Sequence, residues 1–326
     1  MVEAAAGGQT GLGYTYADAA AGKLIESKLA DAVADADPMS PPEAFAAMQH
    51  ALRNLGTVGL GAMAMSAVDI ALWDLKAKLL GKPLADVLPR FRESVPVYGS
   101  GGFTSYSLDR LAEQLGGWAA QGIPRVKMKV GRDPRADEQR VRAARDAIGH
   151  DVELMVDANG AYERKQALDW AERFAGFGCT WLEEPVSSED RDGLRMVRDR
   201  APAGLSVAAG EYAWHLDDFE LLADCVDVLQ ADVTRCGGIT NLIRFDGICR
   251  ERQLPSSAHC APAVSAHACC ALETLQHLEY FHDHVRIERL IFDGTLDPEG
   301  GALTPDRSRP GLGLVLKRAD AARYEV

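Results

Sequence analysis

Apolar and polar positions change rhythm once along this chain, near residue 92. Before it the pattern is helical. Pro41 and Pro42 open a helix running through Met48 and Leu52, and Val68, Leu72, Leu75 and Leu79 recur on one face of a second helix that Gly81 and Pro83 stop. Upstream, the Ala- and Gly-rich stretch 1–22 offers one short strand within Gly11–Ala19. The unit therefore reads as mainly helical, with no strand pair of its own. From Val95 onward short apolar runs alternate with amphipathic segments. Strands are expected at Val95–Tyr98, Arg125–Val130, Leu154–Asp157, Thr180–Glu183, Ser206–Ala209, Val228–Gln230, Pro255–Ser257 and Leu278–Tyr280.

The intervening helices carry their own signals. Asp133 and Pro134 suit an N-cap and first position, Val141, Ala144 and Ile148 share a face, and Gly149 closes it. Ser187-x-x-Asp190 reads as a capping box, and Ile239, Leu242, Phe245 and Cys249 line a further helix. Eight strands separated by helices predict an α/β fold, a modified TIM barrel (β/α)7β, rather than an open sheet. After Tyr280 the pattern becomes turn-rich, through PEGG and RPGLGLVL. The expected organisation is a capping domain at 1–92, the barrel at 93–304 and a tail at 305–326 that returns to the cap.

Chemistry concentrates at the strand ends. ELMVDANG, WLEEP and VAAGE each end an apolar run in a carboxylate, and Asp157, Glu183 and Glu211 are spaced by 26 and 28 residues, one βα unit each. A single acid there would read as a solvated turn or an N-cap. Three at this spacing converge as hard oxygen ligands for Mg²⁺. On the second strand, Lys127 and Lys129 lie at i and i+2 and so enter the barrel mouth together, while Val126, Met128 and Val130 face the helices. Two adjacent ammonium groups are expected to lower the pKa of at least one toward that of a useful base. Asp232 ends the sixth strand and His259 follows the seventh 27 residues later, a pairing that fixes an imidazole tautomer. His267 lies in a helical run and reads as a packing or surface residue, and His277, His282 and His284 have no comparable setting.

The ordered set KMKVG, VDANG, WLEEP, AAGE, Asp232/His259 and HLEYF, with AVDIALWDLKAKLLGKPL in the cap, resembles the mandelate racemase subgroup of the enolase superfamily. The resemblance runs from about Gly11 to the C-terminus. It implies Mg²⁺ ligation by Asp157, Glu183 and Glu211, with Glu184 outside the set. It implies Lys129 as base on one face of the substrate with Lys127 as its electrostatic partner, and His259, oriented by Asp232, as acid/base on the other. Glu279 matches an acid that hydrogen-bonds a substrate carboxylate oxygen, and Ser100 and Asn159 match polar substrate contacts. The activity implied is abstraction of the proton α to a carboxylate through an enediolate, with dehydration of an aldonate or aldarate to a 2-keto-3-deoxy acid as the leading expectation. Racemisation or epimerisation of a 2-hydroxy acid uses the same residues. The sixth strand end carries Val233, Thr234 and Arg235 rather than a lysine, against the muconate-cycloisomerase subgroup.

Relatives begin with two antiparallel strands joined by a mobile loop that closes over the substrate, whereas this sequence is expected to start near the third strand, which makes 1–92 an α+β capping domain truncated at its N-terminus. The mouth is thus expected to be open, binding metal but turning over slowly, and a truncated, non-catalytic scaffold is the alternative class.

Composition narrows the setting. An apolar fraction of 47% and 25% charged residues suit a globular protein, and a net charge of −13 disfavours nucleic acid and anionic membrane surfaces as partners. There is no signal-peptide pattern, and seven cysteines occur without a C-x-x-C motif. A reduced, cytoplasmic homo-oligomer acting on a small carboxylate is expected.

Overall fold

The computed structural model describes residues 1–324; Glu325 and Val326, the end of the expected tail, lie outside them. The first correction to the sequence reading comes at the N-terminus. Strands β1 (Val2–Ala6) and β2 (Gln9–Gly13) form an antiparallel hairpin, registered from Val2↔Gly13 to Ala6↔Gln9. Its two-residue turn, Gly7-Gly8, takes positive φ at both positions, the geometry a tight hairpin requires. The pair escapes an apolar-pattern reading because its packing surface is backbone. A Cβ at Gly11 would stand 2.1 Å from the Ala71 carbonyl oxygen, and one at Gly13 2.1 Å from that of Ala67. Glycine lets β2 lie directly on the helix Leu60–Leu79.

That helix and its neighbour Pro41–Leu52 enclose the cap's own core of Phe45, Met48, Leu52, Met65, Val68 and Leu72.

Among the described residues eight parallel strands then close into a barrel. They are β3 (Val95–Gly101), β4 (Arg125–Lys129), β5 (Glu153–Asp157), β6 (Cys179–Glu183), β7 (Ser206–Ala209), β8 (Val228–Ala231), β9 (Ser256–Ala258) and β10 (Leu275–Phe281), with β10 pairing back on β3. Alternation along each strand divides the residues. Val126, Met128, Leu154, Val156, Leu182 and Val207 join the large core beneath the helices, while Tyr98, Met155, Trp181, Ala208 and Val228 fill the barrel interior.

Two helix assignments are corrected. The helix after β6 begins at Arg191, capped by Asp190, whose Oδ1 accepts the Gly193 N–H at 3.1 Å. Ser187 is spent on a local turn, accepting from Glu189 N–H at 3.3 Å, so the capping box does not form. The chain also does not dissolve after Tyr280, because His282–Ile291 is a helix. Its buried stripe contains Glu288, an acid in an otherwise apolar position, which broke the periodicity.

Buried carboxylates bind the cap to the barrel. Asp74 accepts the N–H of Leu12 at 2.7 Å and of Leu312 at 2.6 Å, joining hairpin, helix and tail, and pairs with Lys78 at 2.6 Å. Asp69 accepts from Thr240 N–H (2.9 Å) and Oγ1 (2.6 Å) on the barrel side. Glu288 accepts from Tyr14 OH at 2.6 Å, Tyr16 OH at 3.2 Å and Ala263 N–H at 3.1 Å. Asp74→Ala strands two buried N–H donors and is expected to cost about 3 kcal/mol or more. Urea unfolding should show a lowered midpoint with an unchanged m-value.

Candidate active site

The strand register assembles a ring of charge at the barrel's C-terminal end. Lys129, Asp157 and Glu183 are lateral neighbours on β4, β5 and β6, and Glu183 pairs with Ala208 on β7. Glu211 reaches the same level two residues beyond β7, after Gly210. At Gly210 φ is +138°, and a Cβ would lie 2.1 Å from the Gln230 carbonyl oxygen. Asp157, Glu183 and Glu211 are all buried, and their candidate ligand oxygens lie within 4.8 Å of one another. Three hard oxygen donors on one side of a common centre suit an octahedral cation that keeps water or substrate in its remaining positions. Glu184, with φ +37°, leaves this arc; its carboxyl is buried and pushed up to about 9 by burial and by Glu211 and Asp157.

Lys127 is completely buried. Its Nζ lies 2.7 Å from both oxygens of Glu183, 2.8 Å from Glu279 Oε1 and 3.4 Å from Asp157 Oδ2. Trp181 Nε1 (2.9 Å) and Gln230 Nε2 (3.1 Å) also donate to Glu183, whose carboxyl is nonetheless pushed up to about 8 by burial and Asp157. Lys129 donates to Asp157 Oδ2 at 2.5 Å.

The expected lowering of a lysine pKa is not what these surroundings produce. Burial and Lys127 do push Lys129 down, but Asp157 above all, then Glu211 and Glu183, outweigh them and raise it. Lys127 is raised as well, its burial overcome by Glu183 and Glu279. Asp157, Glu183 and Glu279 close around the two ammonium groups, and their charge outweighs the repulsion between the lysines.

On the other flank, His259 Nδ1 lies 2.7 Å from Asp232 Oδ2. Thr234 holds Asp232 Oδ1 through its N–H and Oγ1, both at 2.7 Å. His259 Nε2 then faces inward, 3.1 Å from Glu211 Oε2 and 3.3 Å from Glu279 Oε2. Burial alone would strip the imidazolium proton. The Cys260 sulfur, Glu211, Glu279 and the Asp232 hydrogen bond more than offset it and hold the pKa well above the ordinary value. Glu279 is itself depressed despite burial, chiefly by Lys127 and then His259, so it stands as a carboxylate rather than a neutral acid.

Ser100 is buried beside Lys127 in register, and its Oγ has no protein partner. Asn159 is exposed at φ +43°, and its backbone N–H binds Asp157 Oδ1 at 2.9 Å. His267 is buried in a helix away from the ring, its pKa brought to about 4 by burial, and His277 sits inside the barrel against Tyr98 and Trp181.

Three neighbours were missed. Arg235 Nη1 reaches Glu211 Oε1 at 3.3 Å and its Nε lies 3.5 Å from Asp232 Oδ2. Cys260 lies between His259 and Glu279. His284 stacks on Tyr16 with ring centroids 3.5 Å apart and accepts the Ala261 N–H. Arg235, three residues past Asp232 in a tight turn, was the one with a readable signal.

Fold and site define a cap-and-barrel protein with a buried carboxylate centre flanked by Lys129 on one side and the Asp232–His259 pair on the other. Residues 1–89 match the family model "Mandelate racemase / muconate lactonizing enzyme, N-terminal domain", and residues 110–321 match "Enolase C-terminal domain-like". The chain belongs to the mandelate racemase/muconate lactonizing enzyme family of the enolase superfamily. A crystal structure of a mandelate racemase/muconate lactonizing enzyme-like protein from Rubrobacter xylanophilus is 70% identical with a TM-score of 0.98, covering 98% of this chain and 90% of that one. D-galactarolactone cycloisomerase from Agrobacterium fabrum is 36% identical, covering 89% of this chain and 81% of its own length. L-talarate dehydratase from Polaromonas sp. JS666, solved with Mg and L-glucarate, is 30% identical with a TM-score of 0.87, covering 97% of this chain and 85% of that one.

The Asp232 contact makes a checkable claim about His259. Asp232→Asn removes a charge and a specific acceptor while keeping the shape. The His259 pKa should fall, and the deshielded Nδ1–H resonance should disappear from the proton NMR spectrum.

Proposed function

We propose that this chain is a Mg²⁺-dependent lyase that eliminates across the α and β carbons of an acid sugar, an aldonate or aldarate, to give a 2-keto-3-deoxy acid. The observation that carries the reading is the convergence of Asp157, Glu183 and Glu211 between Lys129 on one side and the Asp232–His259 pair on the other. The three carboxylates would hold the cation. Bound there, it offsets the second negative charge that develops on a substrate carboxylate when its α-proton leaves.

The protein's own groups supply the proton transfers. Lys129 Nζ is placed to receive the α-proton once the charge of Asp157 is engaged elsewhere, since Lys127 then works to lower its pKa. His259, held protonated with Asp232 behind it, is placed to give its Nε2 proton to the departing β-oxygen. Ser100 Oγ, free of protein partners, can turn to a substrate oxygen. Glu279 would have to take up a proton before it could donate to a carboxylate, and an approaching anion raises its pKa in that direction. Asn159 would contact substrate from the loop after β5.

The leaving oxygen is a hydroxyl in dehydration and a ring oxygen in a lactone, the substrate class named for the 36%-identical cycloisomerase. Two proton-transfer groups on different sides also permit racemisation of a 2-hydroxy acid, which yields inverted substrate and no keto acid.

A panel of aldonates, aldarates and their lactones, assayed for 2-keto acid with and without a chelator, tests the reading. Mg²⁺-dependent keto-acid formation is expected with at least one member. Lys129→Ala and His259→Ala should each lower kcat by about 10²–10⁴-fold. One of them should retain exchange of the α-hydrogen with solvent deuterium. Optical inversion without keto acid would establish the racemase instead, and no reaction with any member would remove the enzymatic reading.

A further inference from the structure

We propose that His259, Cys260 and Glu279 form a second metal site, distinct in chemistry from the carboxylate centre, that takes Zn²⁺ or a similar borderline-soft cation. The three donor atoms make an almost equilateral triangle: Nε2 to Sγ 3.3 Å, Sγ to Glu279 Oε2 3.2 Å, and Nε2 to that same oxygen 3.3 Å. Bonds of about 2.0–2.3 Å to tetrahedral zinc place its ligands about 3.3–3.8 Å apart, so small movements complete the face. All three residues are buried, and the fourth corner is left for water, substrate or Glu211 Oε2, 3.1 Å from the same nitrogen.

Local structure favours ligation over coincidence. Adjacent residues on a strand point to opposite faces, which would turn Cys260 away from His259. Cys260 instead adopts φ +53° and Ala261 φ +45°, and this left-handed turn brings the thiol back beside the imidazole. Asp232 on Nδ1 supplies the carboxylate–histidine support that metal-bound imidazoles commonly have, leaving the inward-facing Nε2 as the donor to the ion. Glu279 divides its oxygens, Oε1 to Lys127 and Oε2 to Cys260, so the ligand oxygen is available without breaking the lysine pair.

A mixed nitrogen, sulfur and oxygen set selects against Mg²⁺, as the all-oxygen set favours it. Binding releases the imidazolium proton of His259 and the thiol proton of Cys260 to solvent, and the metal takes both lone pairs. If the function proposed above holds, occupation removes His259 from proton transfer, and Zn²⁺ acts as an inhibitor at a site that excess Mg²⁺ does not protect.

Co²⁺ added to the full chain in excess Mg²⁺ is the test. Expected is a thiolate-to-cobalt charge-transfer band in the near ultraviolet, saturating at one ion per chain, retained in Glu183→Gln and lost in Cys260→Ser. X-ray absorption on the wild type with Zn²⁺ should show one sulfur among nitrogen and oxygen neighbours, a reading that needs no variant to fold. In Cys260→Ser, Zn²⁺ affinity should fall at least about tenfold. A missing band, a band that survives in Cys260→Ser, or a zinc shell without sulfur overturns the site. A band with no turnover of any acid sugar leaves the site standing and removes the proposed function.

Discussion

The constraint on which the rest depends is that like charges must be buried together. Asp157, Glu183, Glu211 and Glu279 all lie below the surface at one end of a closed barrel, where an unpaired carboxylate costs several kcal/mol. Lys127 answers for much of this: its one ammonium group touches Glu183, Glu279 and Asp157. Lys129 takes Asp157 from the other side, and Arg235 and His259 take Glu211. Lys127, Arg235 and His259 each meet more than one acid, and Lys129 joins through Asp157, which Lys127 also holds, so the ring behaves as a unit. That arrangement also presets the chemistry, because engaging the carboxylates changes what holds the protons on Lys129 and His259.

The cap is attached by the same physics used in a different way. Asp69, Asp74 and Glu288 are buried acids, but their partners are mostly backbone N–H groups and hydroxyls. Burial raises Asp69 and Glu288 to about 7 even so. These contacts fix direction more than they add stability. They place the segment after the hairpin, Tyr14 and Tyr16, over the end of the barrel that carries His259.

The barrel and its acids were legible because three acids that end successive apolar runs at a spacing of one βα unit have few innocent explanations, although each alone would read as a turn or an N-cap. Eight strands and the positions of Asp157, Glu183, Glu211, Lys127 and Lys129 follow from a period of two and a repeat of one βα unit. The hairpin was not legible, since Gly11 and Gly13 pack by lacking side chains. The helix after β10 was hidden by Glu288, a core position filled by an acid for the sake of two tyrosines on a distant segment. Cys260 was invisible because a left-handed turn reverses the side that strand alternation assigns it. The direction of the lysine shifts failed for a related reason: it depends on which acids surround the ammonium groups, a property of the closed ring.

The two flanks of the site are not equivalent, and the difference bears on the chemistry. Lys129 keeps 17% of its side chain exposed, against 7% for His259. Around His259 the cap contributes Tyr16, stacked on His284, and Thr15, whose Oγ1 donates to the Thr234 carbonyl beside Asp232 at 2.7 Å. The histidine flank is thus the drier and more firmly built of the two. A symmetric racemase needs two bases that exchange protons with equal ease. An elimination needs an acid that keeps its proton until the leaving oxygen demands it, and a low-dielectric pocket lined by carboxylates keeps an imidazolium charged. The asymmetry supports the proposed elimination over racemisation: in that proposal the proton would be taken on the wetter flank and given on the drier one.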